Sequence, residues 1–364
     1  MFASRKNTCR SLNFVVGFFA PVFLVKRPIL NYKEIMIITR TPFRISFFGG
    51  GTDYPVWLEN NIGAVVSTTI DRYCYTSCRY LPPFFEHRSR IAYSRLEFVK
   101  SNDEIEHPAV NKILSFMGIK DGVDIHNFND LPARSGIGSS SSFTVGLLHA
   151  LYVLKGRKPS KKQLALDAIH VEQDLLKENV GCQDQVAAAF GGFNKIIFGG
   201  PSKMRIEPIA LDLENLKFFQ DHLMLFFTGH SRNASEIAAE QVKNTPQRTS
   251  ELKTMLGMID ESIKILRGKN IEDFGKLLDE AWKLKRSLSS KITTPFIDEI
   301  YEAGKMAGAL GGKLLGAGGG GFILFFTPPE YREKVKKELR KLLYIPFNFE
   351  NEGSKVIYEQ GKFD

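Results

Sequence analysis

The chain has 364 residues, of which 43% are apolar, 24% charged and 12% aromatic, including 29 Phe. That is enough apolar material for sizeable cores and nearer two average domains than one, which excludes a mainly disordered, collagen-like or coiled-coil chain. The net charge of +9 is uneven: Arg5, Lys6, Arg10, Lys26, Arg27 and Lys33 stand against Glu34 alone, so residues 1–35 carry +5 and the remainder only +4. So weak a balance argues against a nucleic-acid partner and suits a small acidic substrate.

The first predicted element is an apolar run at 13–25, between Arg10 and Lys26. It is too short to span a bilayer, lacks a small-residue cleavage site and is interrupted by Pro21. Residues 1–35 therefore read as an extension outside the fold, with no stable membrane insertion; a membrane-associating segment is the other reading. From Met36 the pattern favours strands at 37–39, 44–48, 64–69, 73–80 and 124–127, rich in β-branched and aromatic residues and separated by Gly, Pro, Asn and Asp. Two helices follow. One spans 139–154 and stops at Gly156; the next runs to about Lys177, with Ser160 and Gln163 as a capping box.

A strand at 195–198 leads into Gly199-Gly200-Pro201, which marks a boundary between residues 36–200 and 201–364. Beyond it come a strand at 222–227, helices near 235–242, 246–266, 271–288 and 295–309, a strand at 322–326 and a helix near 329–343. Strands and helices without strict alternation predict an α+β fold in both halves. Cys9, Cys74, Cys78 and Cys182 are too few and scattered for a disulfide framework, which points to a reducing, cytoplasmic setting. Cys74 and Cys78 read as buried thiols, because no CxxC or His pair completes a zinc site. His126, His149 and His170 read as structural.

Three stretches carry chemistry. Pro132-Ala133-Arg134-Ser135-Gly136-Ile137-Gly138-Ser139-Ser140-Ser141-Ser142 precedes a helix: glycines let backbone approach an anion, the helix start offers free N–H groups, and hydroxyls reach a phosphate or its metal. It is not a Walker loop, since no Gly-Lys-Ser/Thr follows; a Ser/Gly linker or plain cap is the alternative. The run Gly316-Ala317-Gly318-Gly319-Gly320-Gly321 satisfies G-x-G-x-x-G, yet a strand follows it, so a dinucleotide site is rejected and a tight turn beside a ligand preferred. The third stretch, Arg40 to Tyr54, contains Arg44, Gly50, Gly51 and Asp53.

Together, in this order and spacing, the three resemble the motifs of the GHMP family of small-molecule kinases over residues 36–360. The resemblance implies two domains, the N-terminal one with a left-handed βαβ unit and the C-terminal one ferredoxin-like, with ATP and substrate between them. It implies ATP binding by Pro132, Ser135, Gly136, Ile137, Gly138, Ser139, Ser140 and Ser141, and Mg2+ held by Ser140 and Glu172. Asp184, in Gly181-Cys182-Gln183-Asp184-Gln185, would be the catalytic carboxylate and Arg44 its partner; Asp53, Gly50 and Gly51 would meet the substrate. Within the family, RTPFRISFFGGGTDYP and LPARSGIGSSSSFTVGLLHAL are most similar to kinases acting on the anomeric hydroxyl of D-glycero-D-manno-heptose 7-phosphate. This implies a 1,7-bisphosphate product for nucleotide-activated heptose synthesis. Arg232, before the helix near Ser235, is the candidate for the 7-phosphate; the same segment also reads as an ordinary cap. Another sugar 1-kinase and a catalytically silent ligand sensor are the alternatives, and a homodimer is compatible with either.

Overall fold

The structure, a computed structural model, describes residues 35–199, 204–229 and 234–360. The apolar run at 13–25, Cys9 and Arg232 lie outside these. The described residues form one compact unit.

The first half begins with two long strands, β1 (Ile37–Phe48) and β2 (Gly63–Tyr80), separated by the short helix α1 (Pro55–Leu58). Each was expected as two strands, and each is continuous. The irregular positions are absorbed as register shifts, one of them at Pro42/Phe43, where proline withholds a ladder donor. There follow β3 (Ser89–Ala92), β4 (Leu96–Val99), α2 (Pro108–Phe116), β5 (Val123–Asn129), α3 (Ser139–Leu154) and α4 (Lys161–Ile169). Ser160 Oγ accepts from Gln163 N, half of a capping box; the Gln163 amide turns instead to Asp167. The helix expected to reach Lys177 changes at His170–Leu175 into a π-helical turn, and α5 (Gln183–Phe190) and β6 (Phe193–Phe198) complete this stretch.

The remainder contains β7 (Met204–Pro208), α6 (Leu213–Asp221), β8 (Leu223–Gly229), α7 (Ala234–Asn244), α8 (Thr249–Arg267), α9 (Glu272–Ser287) and α10 (Pro295–Met306). Last come β9 (Gly311–Leu314), β10 (Gly321–Phe326), α11 (Arg332–Glu338), β11 (Leu343–Ile345), β12 (Phe349–Glu350) and β13 (Lys355–Glu359). Its four-stranded antiparallel sheet has the order β11-β8-β10-β9. In chain order that is 4-1-3-2, the ferredoxin-like arrangement.

The larger sheet runs β13-β1-β2-β5-β3-β4, with β6 and β12 also on β2 and β7 on β6. Strands from beyond residue 200 thus complete the sheet that carries Arg44. Among the described residues its one parallel pair, β3 with β5, is joined through β4 and α2. Helix α3 lies tightly on β1: Thr39 Oγ1 donates to Gly146 O at 3.0 Å and Ser142 Oγ to Pro42 O at 2.9 Å. The halves meet through rings. Phe47 of β1 packs against Phe193, Phe219 and Phe274, and Phe274 against Phe326, with centroids 5.5–5.8 Å apart. Such pairs add about 0.5–1.5 kcal/mol each beyond their burial. They seat the strand bearing Arg44 against the second half of the chain.

Candidate active site

Four segments converge at the C-terminal end of β1. Arg44 is buried, and its guanidinium grips Asp184 through two parallel bonds, Nε to Oδ1 and Nη2 to Oδ2, each 2.8 Å. The remaining nitrogen, Nη1, donates to Gly136 O at 2.5 Å, and Arg44 N donates to Ile137 O at 3.1 Å. One residue thereby joins the first motif to the second and to α5.

The second motif forms a tight loop. Ser135 Oγ donates to Pro132 O at 2.6 Å, and Ser139 Oγ accepts from Arg134 N at 3.1 Å, stabilising a left-handed Arg134. Gly138 precedes α3 in the left-handed region at φ 75° and no side chain caps the helix. The N–H groups of Ser139, Ser140 and Ser141 therefore form an open helix start, suited to an anion. A Cβ on Gly138 would stand 3.3 Å from Asp184 Oδ2, so the carboxylate lies beside this helix start. The third motif backs the loop: Phe322 N donates to Ser135 O, and a Cβ on Gly316 would lie 2.4 Å from Gly136 Cα. The expected turn beside a ligand is thus a turn packed on the phosphate-loop candidate.

Asp53 is buried beside the start of α5. It accepts from Gly51 N at 3.0 Å, from Gln183 N at 3.3 Å and from Gln183 Nε2 at 3.0 Å. Burial pushes its carboxyl above the usual range, with Asp184 adding to the effect and the backbone donors opposing it. Gly51 is left-handed at φ 108°; at Gly50 an added Cβ would meet nothing closer than Gln183 Nε2 at 3.7 Å.

Glu172 sits in the π-helical turn, fully enclosed. Ser141 Oγ donates to Oε2 at 2.8 Å, joined there by Gln185 Nε2, and the buried Thr144 hydroxyl is a further neighbour, while no hydrogen bond of regular geometry reaches Oε1 among the described residues. Ser140 faces solvent in the first turn of α3 and makes no bond to Glu172. Burial pushes the Glu172 carboxyl up to about 7, against the opposing effect of neighbouring hydroxyls. A buried carboxylate beside hydroxyls is a hard-oxygen donor set, and it fits Mg2+ that keeps most of its ligands as water and phosphate.

Gln185, Lys285 and Lys313 are polar groups around this site to which the motifs assigned no role; both lysines are buried. His149 Nδ1 pairs with Ser354 Oγ, and burial pulls its imidazole down to about 4; His126 pairs with Asp124 and His170 with Asp174. Cys74, Cys78 and Cys182 are free and buried.

The N-terminal domain of GHMP kinases matches residues 104–192, and the C-terminal domain of GHMP kinases matches residues 262–345. The chain belongs to the GHMP kinase family. GHMP kinases are ATP-dependent phosphotransferases with an alcohol group as acceptor, and the two-domain fold described above is theirs. This GHMP kinase is 28% identical over 333 residues to the D-glycero-alpha-D-manno-heptose 7-phosphate kinase of Campylobacter jejuni, covering 88% of this chain and 98% of the relative. It is 26% identical over 331 residues to the bifunctional fucokinase/GDP-fucose pyrophosphorylase of Arabidopsis thaliana, covering 83% of this chain but only 30% of that protein. Among solved structures, a D-glycero-D-manno-heptose 1-phosphate kinase from Bacteroides thetaiotaomicron has the same fold, with a TM-score of 0.66 at 23% identity over 88% of this chain and 99% of that one. Among the described residues of this GHMP kinase, no helix is long and apolar enough to cross a membrane.

Proposed function

We propose that this GHMP kinase transfers the γ-phosphoryl group of ATP to the anomeric hydroxyl of D-glycero-D-manno-heptose 7-phosphate, giving the 1,7-bisphosphate. The observation that carries the chemistry is the meeting of Asp184 with the open start of α3 at Gly138. A proton acceptor and a phosphate cradle there share one glycine. In-line transfer needs little more than positioning and charge neutralisation.

In this reading residues 135–141 hold the ATP phosphates through backbone N–H groups. Asp184 takes or orients the proton of the sugar hydroxyl as it attacks phosphorus. Arg44 keeps both Asp184 oxygens in one plane and sets positive charge against the transferred group. Asp53, held by Gln183 and Gly51, accepts from sugar hydroxyls. Mg2+, when bound, neutralises phosphate charge; Glu172 and Ser140 are the residues that would hold it, with Ser141 and Gln185 orienting the Glu172 carboxylate. The heptose acceptor is supported by the Campylobacter jejuni relative, matched over nearly its whole length.

ADP release, followed over heptose 7-phosphate, unphosphorylated heptose, L-fucose, galactose and mevalonate, tests the reading. Heptose 7-phosphate should have the highest kcat/KM by tenfold or more. Equal values for the two heptoses would sink the phosphorylated substrate, and a preference for L-fucose, the direction in which the plant fucokinase relative points, would favour the second reading, another sugar 1-kinase. Absence of turnover with every sugar would favour a ligand sensor, against which the intact Arg44–Asp184 pair argues.

A further inference from the structure

Two lysines are buried in the second half of the chain without an ion-paired carboxylate among the described residues: Lys285 in the last turn of α9 and Lys313 in β9. Lys313 Nζ donates to Phe47 O at 2.8 Å and ties the smaller sheet to β1. Lys285 Nζ donates to Leu314 O at 3.3 Å and to Gly316 O at 2.5 Å. Taking an ammonium out of water is costly unless carbonyls or anions replace its hydration, so a cation at this position needs a reason beyond packing.

The reason lies in what Gly316 touches. It packs on Gly136 so closely that a Cβ on Gly136 would stand 2.3 Å from Leu315 O. Gly136 O accepts from Arg44, and Arg44 grips Asp184. Direct contacts therefore run from Lys285 through Gly316, Gly136 and Arg44 to Asp184. We infer that Lys285 is a positioning residue for phosphoryl transfer, whose ammonium fixes the Gly316 carbonyl behind the phosphate loop and places positive charge at the back of the nucleotide site. This rests on reading residues 135–141 as the loop that holds the ATP phosphates.

The charged groups around Lys285 are Arg44 from β1, Asp53 from the loop after β1, Asp184 from α5 and Lys313 from β9. Burial and Arg44 favour the neutral amine while the two carboxylates favour the cation, and the balance pulls Lys285 down to about 8. The lysine is charged at neutral pH and loses its charge just above it.

The test uses the full chain with Lys285→Met, which keeps length and removes charge, and Lys285→Arg, which keeps charge. ADP affinity is measured by calorimetry without acceptor, and kcat/KM for ATP is followed from pH 6.5 to 9.5. Lys285→Met should weaken ADP binding and raise KM for ATP at least tenfold, leave KM for the acceptor within twofold, and be largely rescued by Lys285→Arg. The parent should lose kcat/KM for ATP with a midpoint near pH 8, and Lys285→Arg should not. Unchanged ADP affinity in Lys285→Met overturns the inference. If Lys285→Met does not fold, an alkaline limb that persists unmoved in Lys285→Arg overturns it instead. Failure of the parent to bind ADP would overturn the phosphate-loop reading itself, and the choice of sugar affects neither measurement.

Discussion

Arg44 and Asp184, 140 residues apart in the chain, meet as a planar fork and a carboxylate with both bonds at 2.8 Å. This geometry fixes the plane of the carboxylate while leaving each oxygen a further lone pair for a substrate proton.

Asp184→Asn keeps the shape and removes the proton acceptor. Turnover should fall on the order of a hundredfold or more, with ADP affinity within twofold of the parent. Steady-state kinetics and calorimetry check the two halves, and near-parental turnover would remove Asp184 from the chemistry.

Arg44→Lys preserves charge but replaces three directed donors by a compact ammonium that cannot span both Asp184 oxygens and Gly136 O. Charged hydrogen bonds of this kind are worth roughly 1.5–3 kcal/mol, so kcat/KM should fall about tenfold to a hundredfold. An arginine-to-lysine variant with unaltered kinetics would show that the fork is dispensable.

Glu172 predicts a dependence of stability on pH. Its folded-state value, about 7, lies above the ordinary glutamate value of 4.5, so the folded protein retains a proton that the unfolded chain releases between them. The contribution is therefore full below about pH 4.5 and is lost as pH rises through about 7, by roughly 3 kcal/mol in total without a bound cation. Glu172→Gln should flatten this part of the Tm profile in metal-free buffer. The same variant, and Ser140→Ala, should raise the Mg2+ concentration for half-maximal rate; titrations that overlay the parent's would remove both residues from the metal assignment.

Two glycines separate tolerance from constraint. At Gly181 an added Cβ would sit 1.9 Å from Asp53 Oδ2, so Gly181→Ala should displace that carboxylate, cost about 1–3 kcal/mol, and raise KM for the acceptor more than for ATP. At Gly257, exposed within α8, nothing lies within 4 Å of an added Cβ, and Gly257→Ala should stabilise by about 0.5–1 kcal/mol. Denaturant unfolding of both variants measures the contrast.

Much of the site was legible because it is written in short motifs. Arg44, Asp53, the loop from Ser135 and Asp184 are words whose meeting in space follows from the family resemblance. What escaped was set by helical phase and by tertiary packing. In the run Ser139–Ser142 every residue offers the same hydroxyl, and the turn of α3 points Ser141 at Glu172 while Ser140 faces outward. Glu172 itself stands in a π-helical turn, which a 3.6-residue period does not reveal. Lys285 left a readable trace: Phe274, Leu277, Leu278, Ala281 and Trp282 form the buried stripe of α9, and Lys285 occupies its next position. In the fold, the helices from α7 to α11 were readable from their periodicity, whereas α6 (Leu213–Asp221) was not expected. The continuity of β1 and β2 was not, because proline and a register shift look like a strand end until the partner strand is present.

The pairing of β13 with β1 has a consequence during synthesis. Gln360 N donates to Met36 O across 324 residues of chain, and Glu359 stands opposite Ile37. At ribosomal speeds of about 5–20 residues per second, the edge of the strand carrying Arg44 emerges roughly a quarter of a minute to a minute before β13 exists. An unpaired edge is a template for the wrong partner. The nascent chain thus carries an exposed edge on its active-site strand until then, and chaperone demand should fall once β13 (Lys355–Glu359) clears the exit tunnel.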